Sequence, residues 1–267
     1  VAAGAELVLS VNGGNVEHAR SWGCEVVVLP DDLTTLGGLD RTVEALEGWG
    51  VPYRIDPGLE PIGLGFAASL GRYLEVRRRY PGAEMMMGVG NLTELTDVDS
   101  AGVNVMLLGF CQEVGVRSVL TTQVINWCRS CVAEIDRTRR LVYHACKERV
   151  LPKRLEPDLV MLRDPKLREP GELTLRELAE SVKDRNFRVF AERGLLHLIN
   201  NQSPLQGTDP FALFAEVLRR ETVDPSHAFY LGYEMAKAVT ALTLGKNYVQ
   251  DQALRWGYLT APEVSHR

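Results

Sequence analysis

The stretch MMMGVGNLTELTDVDS, residues 85–100, decides how this chain folds. Three methionines end in Gly88-Val89-Gly90, and a run of amide, hydroxyl and carboxylate side chains follows at once. The apolar part predicts a buried strand, because a strand of a parallel sheet is covered on both faces. The polar part then stands at the carboxyl end of that strand, where parallel α/β folds bind their ligands.

Short apolar runs of this kind recur through the first half of the chain and alternate with helical patterns. The predicted strands are Glu6–Val11, Glu25–Leu29, Pro52–Ile55, Glu84–Gly88 and Ser118–Thr122. Two architectures fit the alternation: a five-stranded doubly wound sheet, or part of an eight-stranded β/α barrel. A full barrel takes roughly 250 residues, and the alternation uses about half of that length.

The pattern changes in the second half of the chain. Residues 151–186 are rich in Pro, Arg, Glu and Lys and predict a connector with one helical piece. Two adjacent strand patterns follow, and then two helices whose first residues are Asp-Pro, which places an N-cap acid before a proline at the first helical position. We therefore predict a β/α barrel portion at 1–150, a connector at 151–186 and a small α+β domain at 187–267.

Composition limits the partners and the compartment. The 267 residues carry a net charge of −5, so the chain has no overall attraction to nucleic acid or to anionic membranes. No apolar run reaches membrane-spanning length. Five cysteines without a secretory segment indicate reduced thiols in the cytoplasm. The single CxxC, Cys128 to Cys131, is interpreted as buried thiols, and we expect no metal site in this chain.

Polar residues stand at the carboxyl end of every predicted strand of the first half. They are Asn12, Asn15, Asp31, Asp32, Asp56, Asn91, Thr93, Glu94, Thr121, Thr122 and Gln123. The set contains neither Lys nor His, so it suits a neutral ligand rich in N–H donors and carbonyl acceptors better than a phosphorylated one. A carboxylate can accept two hydrogen bonds from an amino-substituted heterocycle. The alternative is that these residues only form turns, which is common for Asn, Asp and Gly.

Three segments resemble the later strands of the pterin-binding barrel family. They are Gly4-Ala5-Glu6-Leu7 before a strand, RIDPGLEPIG at 54–63 and MMMGVGNLTEL at 85–95. That family includes dihydropteroate synthase and the methyltetrahydropterin-dependent methyltransferases. HAFYLGYEMAKAVTALTLGKNYVQDQALRWG at 227–257 resembles the extra C-terminal domain of the dihydropteroate synthase-related group. The resemblance implies an α/β fold: about five β/α units, the C-terminal part of a pterin-binding TIM barrel, followed by a small α+β domain.

The resemblance also implies which residues bind a reduced pterin, as substrate or as ligand. Asp56 matches the aspartate that binds the amino and ring N–H groups of the pterin, and Asn91 matches an asparagine that faces its ring. Asn12, Glu94 and Thr122 are the further pterin-binding candidates. Two departures put synthase chemistry in question. Leu92 stands where the synthase has a lysine, and Leu120-Thr121-Thr122 replaces its arginine and histidine, so no catalytic residue is identified.

The expected function is that of a pterin-binding protein related to dihydropteroate synthase, in folate or tetrahydromethanopterin biosynthesis. The alternatives are a methyltetrahydropterin-dependent methyl-transfer protein and a non-catalytic pterin-binding or assembly module. The resemblance implies that this chain starts inside the barrel, so the early strands with their diphosphate-binding loop are expected outside it, and Mg²⁺ is expected only through that N-terminal part. Because an open half barrel exposes two edge strands, we expect a homodimer or a partner segment that completes the barrel.

His227, Glu234 and Lys237 are the candidate functional residues of the small domain. All three lie on one predicted helix, and histidine titrates near neutral pH. The alternative is a capped helix whose apolar stripe packs on the two strands, with the polar residues serving the fold.

Overall fold

The chain forms two compact units, Val1–Glu156 and Pro157–Arg267. The computed structural model describes residues 4–202, 204–258 and 263–264. The first unit has a curled parallel sheet of five strands with half-barrel form, and the second has a small antiparallel sheet of three strands. Each unit also contains helices, so the fold is mixed α/β, as predicted.

The strands of the first unit pair in the order in which they occur in the chain. They are β1 (Leu7–Val11), β2 (Glu25–Val28), β3 (Tyr53–Ile55), β4 (Glu84–Gly88) and β5 (Ser118–Leu120). The sheet order is β1-β2-β3-β4-β5, and every neighbouring pair is parallel. A doubly wound sheet reverses its strand order at a switch point, whereas this order has no reversal. The sheet is therefore consistent with a partial barrel.

Helices follow the strands of this unit. They are α1 (Val16–Ala19), α2 (Leu39–Trp49), α3 (Phe66–Arg79), α4 (Gly90–Thr93), α5 (Ser100–Val114) and α6 (Cys131–Glu148). The strand methionines are buried as predicted: Met85 and Met87 are fully enclosed and pack in the same core as Tyr73 of α3. The short helix α4 was not predicted. It forms because the carbonyl of Val89 accepts hydrogen bonds from the N–H groups of Leu92 and Thr93.

In the part of the second unit that the structure describes, three α-helices accompany the sheet. Its elements are α7 (Glu172–Ser181), β6 (Arg188–Glu192), β7 (Leu195–Ile199), β8 (Leu205–Gly207), α8 (Pro210–Arg220) and α9 (Pro225–Leu244). The Asp-Pro signals are confirmed as helix starts, since Asp209 accepts a hydrogen bond from Phe211 N and Asp224 accepts from Ser226 N and His227 N. The three-residue strand β8 was not predicted, and α7 lies within the segment 151–186.

Candidate functional site

Asp56 is a buried carboxylate at the carboxyl end of β3. Its Oδ1 accepts a hydrogen bond from the Tyr73 hydroxyl at 2.6 Å and another from the Gly58 N–H at 2.9 Å. Among the described residues, Oδ2 accepts none. Burial raises the pKa of Asp56, and the hydrogen bonds from Tyr73 and Gly58 oppose that rise without cancelling it. Oδ1 thus accepts two hydrogen bonds within the protein, and Oδ2 can accept one from a further donor.

Hydrogen bonds from Arg72 of α3 hold the loop that follows Asp56. The buried guanidinium of Arg72 donates to the carbonyl oxygens of Pro57 at 3.3 Å and Gly58 at 2.9 Å, and it pairs with Glu60 at 2.6 Å. Gly58 has a φ of +82°, which favours glycine, and a Cβ there would lie 2.5 Å from a methyl carbon of Leu33. These contacts fix the backbone on which the Asp56 carboxylate stands.

Asp56 and Asn91 both lie close to Gly88, the last residue of β4. A Cβ built on Gly88 would lie 3.7 Å from Asn91 Nδ2 and 3.9 Å from Asp56 Oδ2. Asn91 Nδ2 also donates to the carbonyl of Leu59 at 2.9 Å, which uses one of its two hydrogens. An acceptor oxygen and a donor nitrogen therefore flank a position that has no side chain.

Glu94 and Thr122 connect the loops that follow β4 and β5. Glu94 accepts hydrogen bonds from Thr122 Oγ1 at 2.8 Å, Val124 N at 3.1 Å and Ile125 N at 3.0 Å. Burial works in the opposite direction, but these donors lower the pKa of Glu94. The carboxylate therefore fixes the loop 122–125. A direct contact of either residue with a ligand stays a prediction.

Asn12 shapes the turn after β1. Its Oδ1 accepts from Gly14 N at 2.9 Å, and its own N–H donates to Asn15 Oδ1 at 2.9 Å. The next residue, Gly13, donates its N–H to the Asp31 carboxylate at 2.7 Å. A loop N–H that could otherwise donate to a bound anion is thus already used within the protein. The expectation that the sheet edge does not suit a phosphorylated ligand stays a prediction.

Leu92, which stands where the synthase has a lysine, lies in the core. Leu92 is only 5% exposed and packs in the hydrophobic core of the first unit. A lysine there would have to bury its ammonium group among apolar side chains, at a large cost in free energy. The departure from the synthase motif at this position therefore agrees with how the chain folds locally.

The three candidates of the small domain do not form one site. Glu234 and Lys237 are buried and pair at 2.9 Å, and Tyr248 donates its hydroxyl to Glu234 at 2.6 Å. His227 instead lines an open cleft of about 610 Å³ together with Arg188 and Tyr230, against whose ring it stacks at 6.0 Å. Glu234 and Lys237 thus form a buried ion pair, and His227 stands at a surface.

The cysteines are free thiols: Cys24, Cys111, Cys128 and Cys131 are buried, and Cys146 is exposed. Burial raises the pKa of Cys128 to about 12, and the neighbouring Cys131 adds to the shift. In the described part of the chain, no group of three or more His, Cys, Asp or Glu side chains could hold a metal ion. No helix of that part is long and apolar enough to cross a membrane.

Two comparisons relate the chain to known proteins. A family model described as PterinBD-DUF4346 matches residues 183–251, and this description suggests a pterin-binding family. The uncharacterized protein MJ0107 of Methanocaldococcus jannaschii is 27% identical over 286 residues. That alignment covers 93% of this chain and 54% of the archaeal protein, so the chain spans about half of the length of this relative.

Proposed function

We propose that the chain binds a reduced pterin at the carboxyl edge of the five-stranded sheet, between Asp56 and Asn91. The observation that carries this proposal is the pair of polar atoms above Gly88: Asp56 Oδ2 as acceptor and Asn91 Nδ2 as donor, each within 4 Å of the position of a Gly88 Cβ. Asn12, Glu94 and Thr122 support the surrounding loops and contact the ligand less directly.

The donor set matches the pterin ring chemically. The pyrimidine part of a pterin carries an amino group and a ring N–H, which are donors for a carboxylate oxygen, and a carbonyl that accepts from an amide N–H. A hydrogen bond to a charged, largely buried acceptor is stronger than one between neutral groups. The absent Cβ at Gly88 leaves room for a flat ring to approach the backbone. The family model described as PterinBD-DUF4346, which matches residues 183–251 in the second unit, supports the same ligand class for the chain.

We infer that this binding serves pterin-cofactor biosynthesis of the folate or tetrahydromethanopterin kind, with a reaction of the dihydropteroate synthase type. That reaction releases pyrophosphate, which needs cationic groups. The described residues near Asp56 do not form a group that could hold Mg²⁺. Asn91 beside Asp56, with Leu92 buried, favours a second candidate, methyl transfer from a methyltetrahydropterin. Turnover of a pterin pyrophosphate with an arylamine supports the first candidate, and methyl transfer supports the second.

We further propose that the half barrel is completed by another segment of the polypeptide or by a second copy. The outer strands of the sheet, β1 and β5, carry the exposed side chains Leu9 and Leu120, 42% and 44% accessible. Open edges of this kind favour pairing with further strands. This chain covers only 54% of the archaeal relative, and the rest of that protein is long enough to contain further strands. Mass measurement of the native complex distinguishes the two sources.

Gly88→Ala tests the pterin site directly. The added methyl group would lie at ordinary van der Waals distance from Asn91 Nδ2 and Asp56 Oδ2, and the backbone of Gly88 is outside the left-handed region, so the fold accepts alanine. The methyl group nevertheless fills the space that the ring needs. We expect reduced-pterin affinity, measured by anaerobic calorimetric titration, to fall about 10-fold or more, which is about 1.4 kcal/mol.

Gly102→Ala is the matched control, because Gly102 lies exposed on α5 and a Cβ there meets nothing within 4 Å. We expect the control to bind pterin like the wild type and both variants to unfold at least as late as the wild type. Wild-type protein that binds no reduced pterin, or Gly88→Ala protein with unchanged affinity, would contradict the proposed site.

A further inference from the structure

The Tyr73 hydroxyl donates a hydrogen bond to Asp56, the acceptor of the proposed site. Tyr73 lies on α3, its side chain is fully buried, and its ring packs edge-to-face on Phe110 at 6.2 Å. A buried tyrosine needs a partner for its hydroxyl, and here the partner is Asp56 Oδ1 at 2.6 Å. The backbone N–H of Gly58 takes the other hydrogen-bonding direction of the same oxygen at 2.9 Å.

We propose that Tyr73 is a positioning residue for ligand binding: together with the Gly58 N–H it saturates Asp56 Oδ1, so that Oδ2 alone meets the ligand and the charged form of the carboxylate is supported against the effect of burial. This inference rests on the proposed function for the identity of the ligand. The effect of Tyr73 on the titration of Asp56 is a property of the free protein and is measured without any ligand.

The ionisation argument follows from the surroundings of Asp56. Burial favours the neutral acid, and the two hydrogen bonds favour the carboxylate. Among the described residues, the buried Cys111 thiol on α5 and the Arg72 guanidinium, on the same helix as Tyr73, also act on this pair. Removing the hydroxyl takes away a donor to the charged form, so Asp56 should hold its proton to a higher pH.

The same geometry sets how the ligand is held. An ionised carboxylate offers about four lone-pair directions, two on each oxygen. With both directions of Oδ1 occupied, the N–H groups of a ligand converge on Oδ2 instead of forming a two-oxygen fork. Loss of the Tyr73 hydroxyl would free Oδ1 and allow the carboxylate to turn, so affinity should fall even at a pH where Asp56 is fully ionised.

The test is Tyr73→Phe, with Tyr80→Phe as the matched control. Tyr80 is the C-cap of the same helix and also donates to an aspartate, the exposed Asp40. In protein labelled with ¹³C at the aspartate carboxyl carbons, the Asp56 resonance is identified by its loss in Asp56→Asn. We expect the Asp56 titration midpoint to rise by about 0.5 pH unit or more in Tyr73→Phe and to stay unchanged in Tyr80→Phe. The acid limit of pterin binding should rise by the same interval.

An unchanged Asp56 midpoint in Tyr73→Phe overturns the inference, whatever happens to binding. A raised midpoint in protein that binds no pterin supports the control of Asp56 and refutes the proposed ligand. If Tyr73→Phe does not fold, 3-fluorotyrosine in the otherwise unchanged chain replaces it. One fluorine resonance should then shift at the Asp56 midpoint, and this step should be absent from Asp56→Asn. A chain without such a step overturns the inference.

Discussion

Asp56→Asn is expected to abolish pterin binding without weakening the fold. The asparagine carbonyl can still accept from Tyr73 and Gly58, so the loop after β3 keeps its hydrogen bonds. The other side-chain atom becomes an N–H₂ group, which meets the N–H donors of the ligand with donors of its own. Losing a charge-assisted hydrogen bond and adding this mismatch should weaken binding about 100-fold or more, which is about 2.7 kcal/mol.

The stability of Asp56→Asn depends on pH in a defined direction. Burial raises the pKa of Asp56 in the folded protein above its ordinary value of 3.8. The folded state therefore favours the protonated acid, and its contribution is lost as the pH rises through the folded-state pKa. Above that pKa the ionised carboxylate costs stability, so at such a pH the asparagine variant should be as stable as the wild type or more stable. The difference should shrink as the pH falls through that pKa.

Urea unfolding at several pH values, together with calorimetric titration of reduced pterin, measures both effects. Asp99→Asn is a suitable control, since Asp99 is exposed and caps α5 without a side-chain hydrogen bond. A gain in stability combined with a loss of binding is typical of a buried functional group. An Asp56→Asn protein that binds pterin as tightly as the wild type would exclude Asp56 from the site.

Local patterns predicted the strands well because each strand is short, apolar and bounded by turn residues. Met85 to Met87 form the buried strand that their composition indicated. The order of the strands was beyond those patterns, because the same alternation fits both a doubly wound sheet and a barrel. The strand β8 was missed for another reason: three residues are too few to show a period.

The location of the candidate site at the carboxyl edge of the sheet was predictable from the sequence. The residues that support Asp56 were not. Asp56 and Asn91 were expected because they follow β3 and β4, and the resemblance to the pterin-binding family named both. Arg72 and Tyr73 were missed as supports. In the sequence, Tyr73 stands among apolar residues at helical spacing, and this position gives no sign that its hydroxyl reaches Asp56. Such contacts depend on how α3 packs on the sheet, which no periodicity encodes.

Lys237→Met is expected to destabilise the second unit more than any surface substitution on it. The side chains of Lys237 and Glu234 are 8% and 3% exposed, and the Lys237 ammonium group also lies over the rings of Tyr233 at 5.5 Å and Tyr248 at 5.9 Å. Without the lysine, the Glu234 carboxylate stays buried with no cation beside it. Breaking a buried pair in this way costs about 3–5 kcal/mol of the free energy of unfolding.

Two further variants make the origin of that cost measurable by urea unfolding. The double variant Glu234→Gln with Lys237→Met removes both charges, and we expect it to recover more than half of the loss, because no unpaired charge stays buried and the glutamine oxygen can still accept from the Tyr248 hydroxyl. Arg176→Met breaks the exposed pair with Glu172 on α7 and should cost less than about 1 kcal/mol. Equal losses in Lys237→Met and Arg176→Met would contradict a structural role for the buried pair. The expected order would instead assign Glu234 and Lys237 to folding and leave His227, which lines the cleft, as the candidate ligand-binding residue of α9.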